Sequence, residues 1–375
     1  MKRSLMVASM LALGTAACGG GTGGSAAAAS PPMAMPAPSP SPSPTPAPTP
    51  KPVASYSPAA AAIRTTGIAL PLGKCVNMAN HLEPPNEGDW GRAIAEDDFT
   101  IIKAAGFTSI RLPVRFSGHA ATAAPFTIDA AFMTRVHHVV DLATAAGLNV
   151  IIDMHNYDEL MAAPDAHAIR FAALWKQIAA TFATAPATVW FELINEPNAN
   201  LTNAKLPAII TPALAEIRAT NPTRPVIIGG EAWSNISSLA TLPMPADPNV
   251  VPTFHYYDPF AFTHQGATWV SPVPPTGRAF GGAADFAELD RNLQTVRDYI
   301  ARTGRVPFIG EYGANDIAAV PVSERINYYD TVTSAFASVG VQTCAWGYTN
   351  GFKLRDGDHW IPGMLAAIHT TTTLR

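Results

Sequence analysis

The chain has 375 residues; charged residues make up only 14 % of it, hydrophobic residues 48 %, and the formal net charge is −4. That balance lacks the basic footprint that nucleic acid or an anionic membrane face requires, so the expected partner is uncharged. Beyond the N-terminal segment no run approaches the roughly 20 apolar residues that span a bilayer.

In chain order, Lys2 and Arg3 precede an apolar stretch from Leu5 to Leu13 and then small residues ending at Cys18, the layout of a secretory signal. Cys18 follows Thr15-Ala16-Ala17 and precedes Gly19-Gly20, which resembles a bacterial lipoprotein cleavage site with threonine where leucine is more usual. Export is expected, either to an envelope membrane through a lipid on Cys18 or, after a plain cut behind Ala17, to the periplasm or outside. Residues 19–59 run through Gly/Ser/Ala into SPSPSPTPAPTPKP, a linker composition that buries no core and favours extended polyproline. Residues 60–375 are left for one folded domain, expected as a monomer. If Cys18 is acylated, Cys75 and Cys344 remain, and they read equally as a disulfide or as two thiols buried in strands.

From Arg64 onward short apolar runs alternate with amphipathic stretches, the pattern of repeated βα units around a parallel sheet. Strands are predicted at 74–77, 109–114, 149–155, 188–195, 225–231, 250–256, 307–311 and 341–346. Helices are predicted at 96–105, 130–146, 168–182, 284–302 and 323–338, with Gly106, Gly147, Gly304 and Gly340 as C-caps. Eight such units favour a closed (β/α)8 TIM barrel over an open doubly wound sheet, because no glycine-rich phosphate loop follows the first strand.

In such a barrel the chemistry sits at the C-terminal ends of the strands. Here those ends are polar: Arg111 in SIRLPVRF, Asp153 and His155 in NVIIDMHNYD, Asn195 and Glu196 in TVWFELINEP, Glu231 and Trp233 in VIIGGEAW, His255 and Tyr257 in VVPTFHYYDP, Glu311 in VPFIGEYG, and Trp346 in VQTCAWGY. One such residue is an ordinary solvent-facing strand end, but seven strands ending this way are not. Glu196 and Glu311, on the fourth and seventh strands, would face each other across one opening. Two carboxyls so placed are what glycosidic cleavage requires, one to protonate the leaving oxygen and one to attack or to activate water.

The motifs FELINEP, RLPVRF, DMHN, HYY, IGEYG and WGY resemble glycoside hydrolase family 5, the cellulase family, over residues 68–368. The opening VNMANHLEPPNEGDWG also looks like members acting on β-glucans, with Ala79 where a glycine is frequent. The resemblance implies Glu196 as acid/base and Glu311 as nucleophile of a retaining endo-acting enzyme cutting β-1,4-glucan or mixed-linkage glucan, with β-mannan or xyloglucan as alternatives. It implies further that Arg111 and Tyr257 hold the Glu311 carboxylate and that Asn195 bonds the sugar 2-hydroxyl. His155 and His255 would line the cleaved-sugar subsite, and Trp346 would stack beneath the ring. Glu196, close to an ionised neighbour, should titrate high.

Trp233 and Trp269 are possible sugar platforms or packing residues, Trp90 and Trp175 read as packing, and Glu231 is either a third site carboxylate or a partner for Arg111 or a loop amide. His137 and His138 are adjacent on a helix and diverge, so they form no metal pair. No metal or cofactor is expected. A zinc hydrolase could use Asp153 and His155, but it would want a His-x-His pair on another strand, which the sequence lacks. A non-catalytic carbohydrate-binding lipoprotein is the remaining rival, and the presence of both glutamates with Arg111 argues against it.

Overall fold

The structure is a computed structural model that describes residues 68–368. The segment read as a secretory signal, Cys18 and the Pro-rich stretch lie outside the described residues. Eight strands, β1 (Cys75–Asn77), β2 (Ser109–Val114), β3 (Asn149–Met154), β4 (Val189–Glu192), β5 (Val226–Ile228), β6 (Val250–Tyr256), β7 (Phe308–Tyr312) and β8 (Thr343–Ala345), pair in chain order into a closed barrel. Every pairing is parallel, and β8 returns to β1 with Cys75 opposite Cys344. Those two cysteines form a disulfide across a sequence separation of 269, which settles the alternatives left open for them.

Helices Asp98–Ala104, Ala130–Ala145, Pro164–Thr181, Leu206–Thr220, Ala283–Thr303 and Val322–Ala337 surround the strands. Ala283–Thr303 shows why: Leu289, Leu293, Val296 and Ile300 recur at helical spacing and are buried, so one stripe faces the sheet. The helix ends at Gly304, whose φ of 68° is the left-handed conformation a C-cap needs. Asp129 caps Ala130–Ala145 by accepting the Phe132 N–H at 2.8 Å. The fifth unit departs from the repeat, since only the short turns Glu231–Ser234 and Ile236–Ala240 follow β5. Among the described residues no helix is long and apolar enough to cross a membrane.

The barrel interior changes character along the strands. Cys75, Ile151, Trp190, Ile227, Val251, Phe308 and Cys344, with Leu70 and Leu72, form one buried apolar cluster. Alternation brings the residue two positions further along a strand back to the same face. Those residues are Asn77, Asp153, Glu192, Gly229, Thr253, Gly310 and Trp346, and on β2 Arg111 follows Ser109.

Candidate active site

Arg111 is fully buried and organises this polar level. Its Nε and Nη2 donate to the two oxygens of Glu192 at 2.7 and 2.9 Å, and its Nη1 donates to Glu311 Oε1 at 2.7 Å. Nη2 also donates to Asn195 Oδ1 at 2.7 Å and lies 2.9 Å from Asp153 Oδ2, while Nη1 reaches Asn77 Oδ1 at 3.0 Å. Burial works against the guanidinium charge, but Asp153, Glu192 and Glu311 outweigh it and hold the arginine pKa well above its usual value. The same burial raises Glu192 and pushes Asp153 up to about 7, with Arg111 opposing both. One cation therefore serves three carboxylates in a space closed to water.

Glu311 reaches this group through a change of register. Phe254 pairs with Ile309 but His255 pairs with Glu311, so Gly310 is an extra residue on β7. Such a bulge re-aims the side chain that follows it, and Glu311 accordingly turns inward. A Cβ on Gly310 would lie 2.9 Å from Thr253 Oγ1 and 3.1 Å from His255 Nε2, so only glycine sits there without displacing them. Tyr257 donates its hydroxyl to Glu311 Oε2 at 3.0 Å.

Glu196 follows β4 and retains 26 % side-chain exposure, so it opens onto the cleft. Its Oε1 lies 2.8 Å from His255 Nδ1, which is also 3.5 Å from Glu311 Oε2. One oxygen of Glu196, one of Glu311 and a ring nitrogen of His255 all fall within 4.8 Å of one another. Burial raises Glu196 to about 7, against the influence of His155 and Arg111. The direction is the expected one, but the cause is loss of water rather than the charge of a neighbour. Burial likewise lowers His155 and His255 to about 4, so both imidazoles are neutral at pH 7.

His155 is held by Asp153 Oδ2 at 2.7 Å and by Asn195 Nδ2 at 3.3 Å from its other nitrogen. Its ring lies parallel to that of Trp346, with centroids 5.4 Å apart. Asp153 and His155 thus bond to each other and to the Arg111 group. Trp233 and Trp269 are 61 % and 65 % exposed, on the loops after β5 and β6. Trp269 leans on His264 and Phe352, and both of these touch Tyr257.

Other sequence candidates fall elsewhere. β5 stops at Ile228, so Glu231 does not end a strand; it lies in the turn beyond, accepts the Asn203 N–H at 2.8 Å, and is a loop-amide partner, not one for Arg111. Trp175 is core and donates to Leu193 O. Trp90 is half exposed. His137 and His138 pair separately with Asp141 and Glu96.

The sequence reading missed Asn77, Glu192 and Glu83. Glu192 carries a readable signal, a charge inside the apolar run VWFELI. Glu83, buried in the loop after β1, accepts the N–H groups of Asn80 and Leu82, and burial pushes it up to about 8.

A closed parallel barrel with two carboxyls facing each other at the C-terminal ends of β4 and β7 defines the glycoside hydrolase class of site. The chain belongs to the cellulase family, glycosyl hydrolase family 5, whose model matches residues 73–351. It is 34 % identical over 276 residues to Endoglucanase H of Acetivibrio thermocellus, covering 73 % of this chain but only 29 % of that protein. The structure of Thermotoga maritima Cel5A in complex with cellobiose, in a mutant form, is 38 % identical, superposes with a TM-score of 0.77 and covers 79 % of this chain and 96 % of that one. Cel5A in complex with mannotriose matches at 38 % identity and a TM-score of 0.76, over 79 % of this chain and 97 % of that one.

Proposed function

We propose that this chain hydrolyses internal β-1,4 bonds of β-glucan with retention of configuration, Glu311 acting as nucleophile and Glu196 as acid/base. The observation that carries this reading is the approach of the two carboxylates to within 4.8 Å. Retaining enzymes hold their carboxyls about 5–5.5 Å apart, whereas inverting ones leave about 6.5–9.5 Å for a water.

The environments of the two groups differ in the required sense. Glu311 accepts hydrogen bonds from Arg111 and Tyr257 on opposite oxygens, which fix its direction of attack. Glu196, raised to about 7, carries a proton to give at neutral pH. In the first step Glu311 attacks the anomeric carbon while Glu196 protonates the leaving oxygen, giving a glycosyl-enzyme. In the second, Glu196 takes a proton from water as the water oxygen attacks the anomeric carbon and the bond to Glu311 breaks, which releases the sugar and restores both groups. Asn195, fixed by Arg111, faces the position of the sugar 2-hydroxyl, and the paired rings of His155 and Trp346 form the wall against which that sugar lies.

Mannan is the second reading, because the similar Cel5A has been captured with mannotriose as well as with cellobiose. Rates on barley β-glucan, carboxymethylcellulose and mannan separate the two, and mannan as the sole good substrate would refute the glucanase assignment. The roles are tested with azide, which needs no base. Glu196→Ala keeps its nucleophile and should turn an activated aryl glycoside into the β-glycosyl azide. Glu311→Ala should admit azide from the opposite face and give the α-azide. The exchanged configurations, or an inverted sugar from the unaltered enzyme, would overturn the assignment.

A further inference from the structure

We propose that Ser234 is a positioning residue for Glu196, holding the acid/base loop from the neighbouring strand's turn; this rests on Glu196 being the acid/base. The need for such a device follows from where the sheet ends. The last paired residue of β4 is Glu192, opposite Asp153 on one side and Ile227 on the other. Two further ladder-like bonds, from Leu193 N–H to Ile227 O and from Asn195 N–H to Met154 O, carry the chain out of the barrel. From Asn195 to Pro197 the three consecutive carbonyls then need partners other than a strand.

Each has one. The Ser234 hydroxyl donates to Asn195 O at 2.9 Å, Asn198 Nδ2 donates to Glu196 O at 2.8 Å, and the Trp233 N–H donates to Pro197 O at 3.0 Å. Two of the three donors come from the turn after β5, and they grip the residues immediately before and after Glu196. That turn is unusual in its backbone: Ala232, Trp233 and Ser234 have φ of 56°, 58° and 52°, three successive non-glycine residues in the left-handed region. L residues adopt that region rarely and at a cost, and such positions concentrate where function requires them.

The turn is anchored at its base. The Glu231 N–H donates to Asn203 Oδ1 and the Asn203 N–H returns to Glu231 Oε2, both at 2.8 Å, tying the turn to the loop after β4. Asn203 Nδ2 continues to Ser238 O at 2.9 Å. Ser234 itself is fully buried, and a Cβ on Gly229 would fall 2.3 Å from its Oγ. The glycine that follows β5 thus makes room for this hydroxyl. The hydroxyl touches no position a sugar can occupy, so it acts through the backbone of Asn195 and through the direction in which Glu196 leaves it.

A group that aims the proton donor is distinguished from one that merely supports the fold by its dependence on the leaving group. The test compares Ser234→Gly and Ser234→Ala with the unaltered protein on phenyl and 2,4-dinitrophenyl β-cellobiosides, with melting temperatures recorded. Glycine suits the left-handed backbone while lacking the hydroxyl, so this variant isolates the hydrogen bond; alanine lacks the hydroxyl and keeps the strain. Both should lose about tenfold or more in kcat/KM on the phenyl glycoside, whose departure needs a proton, and less than about threefold on the dinitrophenyl glycoside, whose departure does not. Parallel loss on both substrates, no loss on either, a loss confined to Ser234→Ala, or failure of Ser234→Gly to fold would each overturn the proposal. Glu196→Ala measured alongside separates the two levels. If it shows no leaving-group dependence, the acid/base reading has failed; if it shows one and Ser234→Gly does not, only the role of Ser234 has.

Discussion

The floor and the mouth of the barrel are built on the same strands, two residues apart, and are chemically opposite. Trp190 and Ile151 pack in a wholly apolar cluster, while Glu192 and Asp153 beside them carry carboxylates into an interior equally closed to water. Burying an unpaired charge is prohibitive, so the mouth exists only because Arg111 pairs with Glu192, Asp153 and Glu311 together. The difference teaches where stability and chemistry reside: the floor needs only volume, whereas the mouth needs a particular set of partners.

The most severe way to break that contrast is to remove the cation. Arg111→Met leaves three carboxylates without their counter-charge, and breaking a buried pair typically costs about 3–5 kcal/mol. Hydrolysis should fall by at least about 10²-fold even in the folded fraction, since Glu311 loses a charge-assisted bond. Adding Glu192→Gln should recover part of the stability but none of the activity. Denaturant unfolding and kcat on β-glucan check this, and a loss under about 1 kcal/mol would show that the three carboxylates do not depend on Arg111.

At the floor, Trp190→Ala should destabilise by a similar amount, about 3–5 kcal/mol, for a different reason: a cavity in an apolar layer. The folded variant should keep its kcat and its pH profile, because no side chain of the Arg111 group loses a partner. A shifted pH profile in Trp190→Ala would mean that the two levels are coupled.

The floor was legible in the sequence because apolar alternation is what a strand pattern encodes, and six predicted strands lie within two residues of the observed boundaries at both ends. The two longer misses, at β4 and β5, lie where the chain leaves the ladder at Leu193 and Gly229 to build the site. The left-handed caps Gly106, Gly147, Gly304 and Gly340 were legible for the same local reason. Helix Leu206–Thr220 was not among the predicted segments, since Pro207 and Pro212 interrupt its pattern. At the mouth the strand-end residues could be named, but not how they meet. Strict alternation on β7 puts Glu311 on the face of Ile309, and only the Gly310 bulge, a property of pairing with β6, reverses it. Arg111's choice of Glu192 over Glu231 likewise depends on β5 stopping at Ile228, which leaves Glu231 in the turn beyond the barrel.

A pH profile sharpens the contrast within the mouth. Glu196, raised to about 7 by burial, must be protonated to assist departure of the leaving group. Its acid form is therefore present below pH 7 and lost above it. kcat/KM on an unactivated glycoside should fall about tenfold per unit above that point, because the free enzyme's essential acid sets this limb. In Glu196→Gln the limb should vanish along with most of the rate. If the limb survives in that variant, another group sets it, and Asp153, also raised to about 7, becomes the one to replace next.

The smallest effect is expected at the rim, where neither packing nor pairing is at stake. Trp269 is 65 % exposed and reaches the site through His264 and Phe352, so Trp269→Ala should change stability by less than about 0.5 kcal/mol. If its indole is a platform for a sugar ring, the loss appears in binding: KM for a long β-glucan should rise roughly three- to tenfold, the worth of about 1 kcal/mol of aromatic contact. kcat on a short aryl cellobioside that does not reach the rim should stay the same. A uniform binding term removes affinity without touching the barrier, and this is the pattern that separates a platform from a brace for Tyr257. Should kcat fall on both substrates instead, Trp269 acts through His264, Phe352 and Tyr257 on Glu311, and the rim belongs mechanically to the mouth.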